Sequence, residues 1–325
     1  MRIAILTPTL CNWSGIDRVV EKMYLELKKD NEVKVFTFQN DMKTIKDVEL
    51  IPISKNPFLM RIWRLFFFVK KRIVNKYAKI VSGYHKVIAF QYPMTLIAKK
   101  AKEINKSLQY QYYDCGVAHP HLFRSFAERT YMNLFKKFLY KSISNIDSAI
   151  SISRYLSDEL YKDTGFRGKV KLLEADTSRF NKDVQPFEKQ GKIFLYVGRI
   201  SPHKGIHLLI QAFNKVLEKI PDAKLWIIGK NTFPKYQKEL EALIKGSVEF
   251  KGFVEDKDLP RYYATCDACV TCTLWEGFDL PIVESNACGK PSIAFDICSH
   301  PEVLKIGKLI PEGDTDKFAE AMIKI

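Results

Sequence analysis

The chain has 325 residues, of which 46% are hydrophobic and 13% aromatic. That is enough for two packed interiors, and one core is too few for this length. Its 52 Lys and Arg outnumber 37 Asp and Glu, for a net charge of +15, while apolar runs such as 65–69 are far below the roughly 20 residues that span a bilayer. Seven scattered cysteines, an odd number, argue against a secreted disulfide scaffold and for a reducing compartment. The first strand begins almost at Met1 with no charged leader, so a cytoplasmic protein is expected.

In chain order, Arg2–Thr7 reads as a strand, followed by a loop ending near Gly15 and a helix over Ile16–Lys29. Further strands are expected at Glu32–Phe38, Lys86–Phe90, Leu108–Tyr113 and Ser148–Ile152, with helical patterns between them. Residues 57–80 read as one helix with two faces. At about 100° per residue, Arg61, Arg64, Lys71, Arg72, Lys76 and Lys79 share an arc of roughly 140°. Leu59, Ile62, Trp63, Phe66, Phe67, Val69, Ile73, Tyr77 and Ile80 lie opposite. A basic amphipathic helix with aromatics suits an anionic membrane surface. The same pattern also describes a helix packed on a sheet with its cations in water.

The charge is lopsided: residues 1–180 hold 32 basic and 17 acidic residues, whereas residues 181–325 hold 20 of each. Acidic lipid headgroups account for that asymmetry as well as nucleic acid does. No nucleic-acid module is recognisable, so nucleic acid is not expected as a partner.

Residues 181–191, polar and proline-containing, read as a linker. Beyond it the alternation resumes: strand Lys192–Val197, helix Gly205–Lys219, strand Lys224–Ile228, helix Pro234–Ile244, strand Val248–Phe250, helix Lys257–Tyr263, strand Ala268–Thr271 and helix Pro281–Cys288. Strands alternating with helices predict parallel sheets and an α/β class, with one Rossmann-like domain over 1–180 and another over 181–325.

Two segments carry candidate chemistry. YVGRISPHKGIHLLIQAF places Arg199 and Lys204 between a strand and a helix, a forked and a point cation at a sheet's carboxyl edge. EGFDLPIVE sets Glu276 and Glu284 either side of a turn into a helix, where carboxylates can accept hydrogen bonds from hydroxyls. A third segment, CDACVTC, has the spacing of metal-site cysteines. It coincides with a strand and no fourth ligand follows, so buried thiols are expected there and no metal site.

Together with MRIAILTPTLCNWSGIDRVV, LEADTSRF at 173–180 and EGFDLPIVESNACGKP at 276–291, these segments resemble the family 4 glycosyltransferases (glycosyl transferases group 1), retaining enzymes of GT-B fold. The resemblance covers most of the chain and is more specific in its C-terminal half. It implies two Rossmann-like domains facing each other across a donor cleft, the first acceptor-side and the second nucleotide-sugar-binding. It also implies hexose transfer from a UDP- or GDP-sugar to a lipid-linked or glycan acceptor, with no cofactor required. By position, Arg199 and Lys204 would meet the diphosphate, Glu276 the transferred sugar and Glu284 the ribose. Backbone of Gly277, Phe278, Asp279 and Leu280 would approach the donor, with Asp279 standing where the family usually has Gly. Gly15, after Ser14, matches the phosphate or acceptor loop. In YYDCGVAHPHLF, His119 is the candidate near the donor sugar, with His121 and Asp114 as competitors. The chain stops at Ile325, before the returning C-terminal helix that the resemblance implies, so either the sequence is a piece of a longer chain or that helix is absent. Competing expectations are a sugar-nucleotide epimerase or phosphorylase of GT-B fold, or an inactive membrane or nucleic-acid binder. The expected location is cytoplasmic, peripheral on the cytoplasmic membrane face through residues 57–80.

Overall fold

The computed structural model describes residues 1–11, 15–54, 56–231 and 233–325. Its chain divides into two compact units, Met1–Pro120 with Ser125–Leu172, and His121–Arg124 with Leu173–Ile325. The first unit contains β1 (Arg2–Leu6), β2 (Glu32–Thr37), β3 (Val48–Leu50), β4 (Lys86–Ala89), β5 (Gln109–Asp114), β6 (Ser148–Ser151) and β7 (Lys169–Val170). Among the described residues they form one parallel sheet in the order β3-β2-β1-β4-β5-β6-β7. Ile3, Ala4, Ile5 and Leu6 of central β1 are all buried, as a strand covered on both faces requires. Helices Lys71–Val81 and Met94–Ile104 cover one face through Val74, Tyr77, Ala78, Ile97 and Ala101. Helix Phe126–Ser142 contributes Phe135 and Leu139 to a second cluster with Tyr92 and Tyr112.

The second unit contains β8 (Ile193–Val197), β9 (Lys224–Ile228), β10 (Val248–Gly252), β11 (Ala268–Thr271), β12 (Ser292–Phe295) and β13 (Gly307–Ile310). They are parallel in the order β10-β9-β8-β11-β12-β13. Each sheet therefore reverses its order beside its first strand, between β1 and β4 and between β8 and β11. Ligands of open α/β sheets sit at the carboxyl ends of strands at such reversals.

Three expectations need correction. Residues 57–80 form two helices, Pro57–Leu65 and Lys71–Val81, joined by a 3-10 turn at Phe67–Val69. The cause is visible: the Tyr92 hydroxyl donates to the Leu65 carbonyl (2.9 Å), the acceptor that a continuing helix would use. The Val69 amide turns instead to the Phe66 carbonyl (3.0 Å). Arg64 does not join a solvated basic face. Its Nε is enclosed near Asp17, while Tyr77 and Phe67 of the supposed interfacial arc belong to the core. Finally, the units part between Leu172 and Leu173 and not at residue 180. Phe180 packs in the second core against Tyr263, and the expected linker is tied down by the Phe187 amide donating to Thr265 Oγ1 (2.8 Å). Strands β3, β7, β12 and β13 are two to four residues long; such lengths are too short to declare a period in sequence.

Candidate functional site

In the second unit the loop leaving β8 carries Arg199, which is exposed and has no ion-pair partner among the described residues. The Tyr196 hydroxyl donates to the Arg199 carbonyl (3.1 Å), pinning the loop to the strand it leaves. Pro202–Lys204 then make one 3-10 turn, and Gly205 opens the helix Ile206–Leu217 with φ +62. A Cβ on Gly205 would lie 1.8 Å from the Cys272 carbonyl oxygen, so glycine is required both by backbone angle and by the approach of β11.

That approach joins two loops far apart in sequence. The Leu274 amide and Thr273 Oγ1 both donate to the His203 carbonyl (2.9 and 3.3 Å). The result is an ion pair between Lys204 Nζ and Glu276 Oε2, their side chains only 16% and 20% exposed. His203 beside it is pushed down to about 3 by burial, then by the charges of Lys204 and Arg199. It is therefore neutral and adds no third cation.

Past Glu276 the chain turns inward: Gly277, Phe278 and Asp279 are buried and Leu280 half-buried. Asp279 has φ 67 and ψ 73, left-handed for a non-glycine, and precedes the helix Leu280–Ala287. Glu284 on that helix is 3% exposed and accepts a hydrogen bond from the Tyr263 hydroxyl (2.9 Å). Ser299 Oγ donates to the Glu276 carbonyl (3.1 Å), and His300 Nε2 lies 3.0 Å from Asp279 Oδ2. Tyr196, Tyr263, Ser299 and His300 were not foreseen from sequence. Tyr263 lies 21 residues from Glu284, with no local pattern linking them. Ser299 and His300, a few residues past β12, carried no signal in the sequence.

The first unit holds the remaining candidates. His119 is half-buried, its Nε2 lying 3.1 Å from the Tyr155 hydroxyl and 3.5 Å from Glu159 Oε2. Its competitor His121 groups with the second unit. Asp114 at the end of β5 is committed to local bonds, accepting from Ser151 Oγ and the Gly116 amide (both 3.0 Å) and from the Tyr112 hydroxyl (3.3 Å). Burial pushes its pKa up to about 6. Gly15 is exposed and begins the helix Gly15–Leu27; Ser14 lies outside the described residues. Asp17 on that helix accepts from the Cys11 amide (2.8 Å) and is pushed up to about 7, chiefly by burial.

The cysteines of CDACVTC are buried and divided between two cores, Cys266 and Cys269 on one side and Cys272 on the other. Burial raises all three thiols, Cys266 to about 12.

Residues 177–325 match the family described as glycosyl transferases group 1. This part of the chain belongs to that family. Among relatives of this chain, spore coat protein SA of Bacillus subtilis (strain 168) is 36% identical over 126 residues, covering 36% of this chain and 33% of the relative. A phosphatidyl-myo-inositol mannosyltransferase of Mycobacterium leprae (strain TN) is 28% identical over 144 residues, 43% of this chain and 38% of the relative. The matched stretches thus span about a third of the first relative and 38% of the second. Among solved structures, sucrose-phosphate synthase from Thermosynechococcus elongatus superposes with a TM-score of 0.79 at 18% identity, over 100% of this chain and 89% of the other. HepE from Anabaena, in complex with UDP and glucose, gives 0.75 at 20% identity, over 99% and 89%. Likeness at this identity concerns fold, and that fold is GT-B: two Rossmann-like units, the second being the group 1 unit.

Proposed function

We propose that this chain is a retaining hexosyltransferase that moves a hexose from a UDP- or GDP-sugar to a lipid-linked or glycan acceptor, in polysaccharide or glycolipid biosynthesis. The observation that carries the reading is the Lys204–Glu276 pair at the β8/β11 reversal, with exposed Arg199 on the same loop as Lys204. Support also comes from the family match and from the mannosyltransferase name of one relative. The UDP and glucose held by one structural neighbour point the same way.

In this reading the sugar C1–phosphate bond breaks while a C1–oxygen bond to the acceptor forms on the same face. The acceptor's proton passes to the departing phosphate oxygen, so no carboxylate nucleophile is needed. Arg199 and Lys204 stabilise the charge on the leaving diphosphate, each as a charge-assisted hydrogen-bond donor, in the role a metal would otherwise fill. Lys204 and Glu276 hold each other in place before the donor arrives. The donor then divides them, its phosphate taking the ammonium and its sugar hydroxyls the carboxylate. Glu284 takes the ribose hydroxyls, its carboxylate already oriented by Tyr263. His119, steadied by Tyr155, stays a candidate on the first unit.

The acceptor is placed at a membrane surface on a narrower footing than the sequence offered. Among the described residues no helix is long and apolar enough to cross a membrane. Residues 57–69 nevertheless expose Phe58 (71%), Leu59, Phe66, Phe68 and Val69, beside exposed Arg61, Lys71 and Arg72. Aromatics next to cations favour an anionic interface, at about 1 kcal/mol for each cation near the leaflet. The cytoplasmic membrane face is the corresponding location.

Thermal stabilisation across UDP, GDP, ADP and TDP and their sugar conjugates tests the donor half. A shift with one nucleotide, followed by a product of unchanged anomeric configuration in NMR, is the expected result. A folded protein that no nucleotide stabilises, or a product of inverted configuration, would overturn it.

A further inference from the structure

The turn that presents Glu276 is held at both ends by one passage, Ser299 and His300, where the loop after β12 enters the helix His300–Val303. At one end Ser299 Oγ donates to the Glu276 carbonyl, and at the other His300 meets the Asp279 carboxylate. The second ring nitrogen, His300 Nδ1, lies 2.7 Å from the carbonyl oxygen of Phe295, the last residue of β12. His300 has no exposed surface and Asp279 is 6% exposed.

A carbonyl oxygen can only accept, so Nδ1 carries a proton. One further proton lies between Nε2 and Oδ2. The pair is then imidazolium with carboxylate, or imidazole with carboxylic acid, and either form has zero net charge. Asp279 therefore brings no net charge to the Lys204–Glu276 pair. The aspartate also sits in backbone space that opposes a Cβ, and such strain persists only where neighbours fix the conformation. His300 is the neighbour that does so.

We propose that Ser299 and His300 form a clamp that holds the Glu276–Asp279 turn in its left-handed geometry and keeps the His300–Asp279 pair at zero net charge beside the donor site. His300 is thus a positioning residue for donor binding, acting through Asp279. Its functional consequence rests on the glycosyl-transfer reading; its structural half does not.

The clamp carries a pH dependence. Burial opposes the imidazolium, while the hydrogen bond and charge of Asp279, the Phe295 carbonyl and the charge of Glu276 favour it, and the favourable set prevails. Glu276 is itself paired with Lys204. As pH rises through the raised His300 value the pair loses its proton and becomes an anion, and affinity for an anionic nucleotide falls.

The test compares wild type, His300→Asn, Asp279→Gly and the double variant. Hydrogen exchange over residues 277–287 of the unliganded protein reads the turn, and titration with UDP and GDP reads the site. In His300→Asn, protection and nucleotide affinity each drop about tenfold. In Asp279→Gly, where the turn no longer needs holding, adding His300→Asn changes both by less than about threefold, and the fall in affinity with pH disappears. Ser299→Ala, which deletes one hydroxyl, gives a smaller loss of protection and serves if His300→Asn does not fold. Unchanged protection in both single-loop variants, or a His300→Asn penalty undiminished by Asp279→Gly, overturns the clamp. Altered protection with unaltered affinity overturns its role in binding. Altered protection in a protein whose wild type binds neither nucleotide leaves the clamp standing and removes the glycosyl-transfer reading.

Discussion

The two sheets share one strand order and differ in what stands where that order reverses. At the β8/β11 edge each carboxylate has a side-chain partner from another segment: Glu276 meets the Lys204 cation, and Glu284 on its helix meets the Tyr263 hydroxyl. At the carboxyl edge of the first sheet Asp17 accepts from a backbone amide and Asp114 from an amide and hydroxyls, and burial raises both toward neutrality. One edge keeps charge available for an anionic, hydroxylated ligand; the other uses its acids to close loops. The parallel sheet supplies the position, and the loops decide the chemistry.

Lys204→Ala breaks that contrast most severely. In the proposed reaction it removes a cation from the leaving group and takes away the ion-pair partner of Glu276, so turnover with the active donor is expected to fall by about 10²–10³. Circular dichroism should stay native. A loss under about threefold would place the chemistry elsewhere.

Glu284→Ala comes next, with nucleotide affinity weakened about 10–100-fold in calorimetric titration. Tyr263→Phe, which removes only the orienting hydroxyl, should cost about a tenth as much affinity as that.

A pair of glycines sharpens the comparison on the side of stability. Gly205 and Gly165 both have positive φ, at +62 and +74, but only Gly205 approaches another backbone; nothing lies within 4 Å of a Cβ on Gly165. Gly205→Ala should destabilise by roughly 3 kcal/mol or more and Gly165→Ala by about 1 kcal/mol in urea unfolding. Equal costs would mean that the β8/β11 junction can yield.

Asp17 gives the first unit its own pH signature. Its folded value of about 7 lies above the ordinary 3.8, so the folded state binds the extra proton between those values. Stability contributed by this residue is therefore greatest in acid and declines as pH rises through that window, by on the order of 4 kcal/mol. Asp17→Asn should flatten the decline in urea midpoints; an unchanged slope would assign it to other groups.

The smallest effect concerns the surface. Replacing Arg61, Lys71 and Arg72 with Glu should weaken flotation with anionic vesicles, each lost cation contributing about 1 kcal/mol in low salt. Arg64 is left out of that set because its guanidinium is enclosed near Asp17. Flotation indifferent to both salt and these changes would remove the membrane proposal.

How much of this was legible depends on distance along the chain. Arg199, Lys204, Glu276 and Glu284 could be singled out because each lies in a short strand–loop–helix passage whose pattern is local. Their pairing could not, since the Lys204–Glu276 contact joins positions 72 residues apart and exists only because β8 and β11 are neighbours. The clamp escaped for the same reason, as nothing near Asp279 in sequence announces His300. The broken helix shows the converse failure. An apolar period ran unbroken through residues 57–80, and the interruption came from Tyr92, a residue outside that passage.

The proposed nucleotide-sugar site lies at the β8/β11 edge of the second unit. The most direct measurement is titration of the intact protein with UDP and GDP, alongside Lys204→Ala and Glu284→Ala. Saturable binding of one nucleotide, weakened at least about tenfold in each variant, is the predicted result. Binding that both variants leave unchanged, or no binding by the folded wild type, would contradict it.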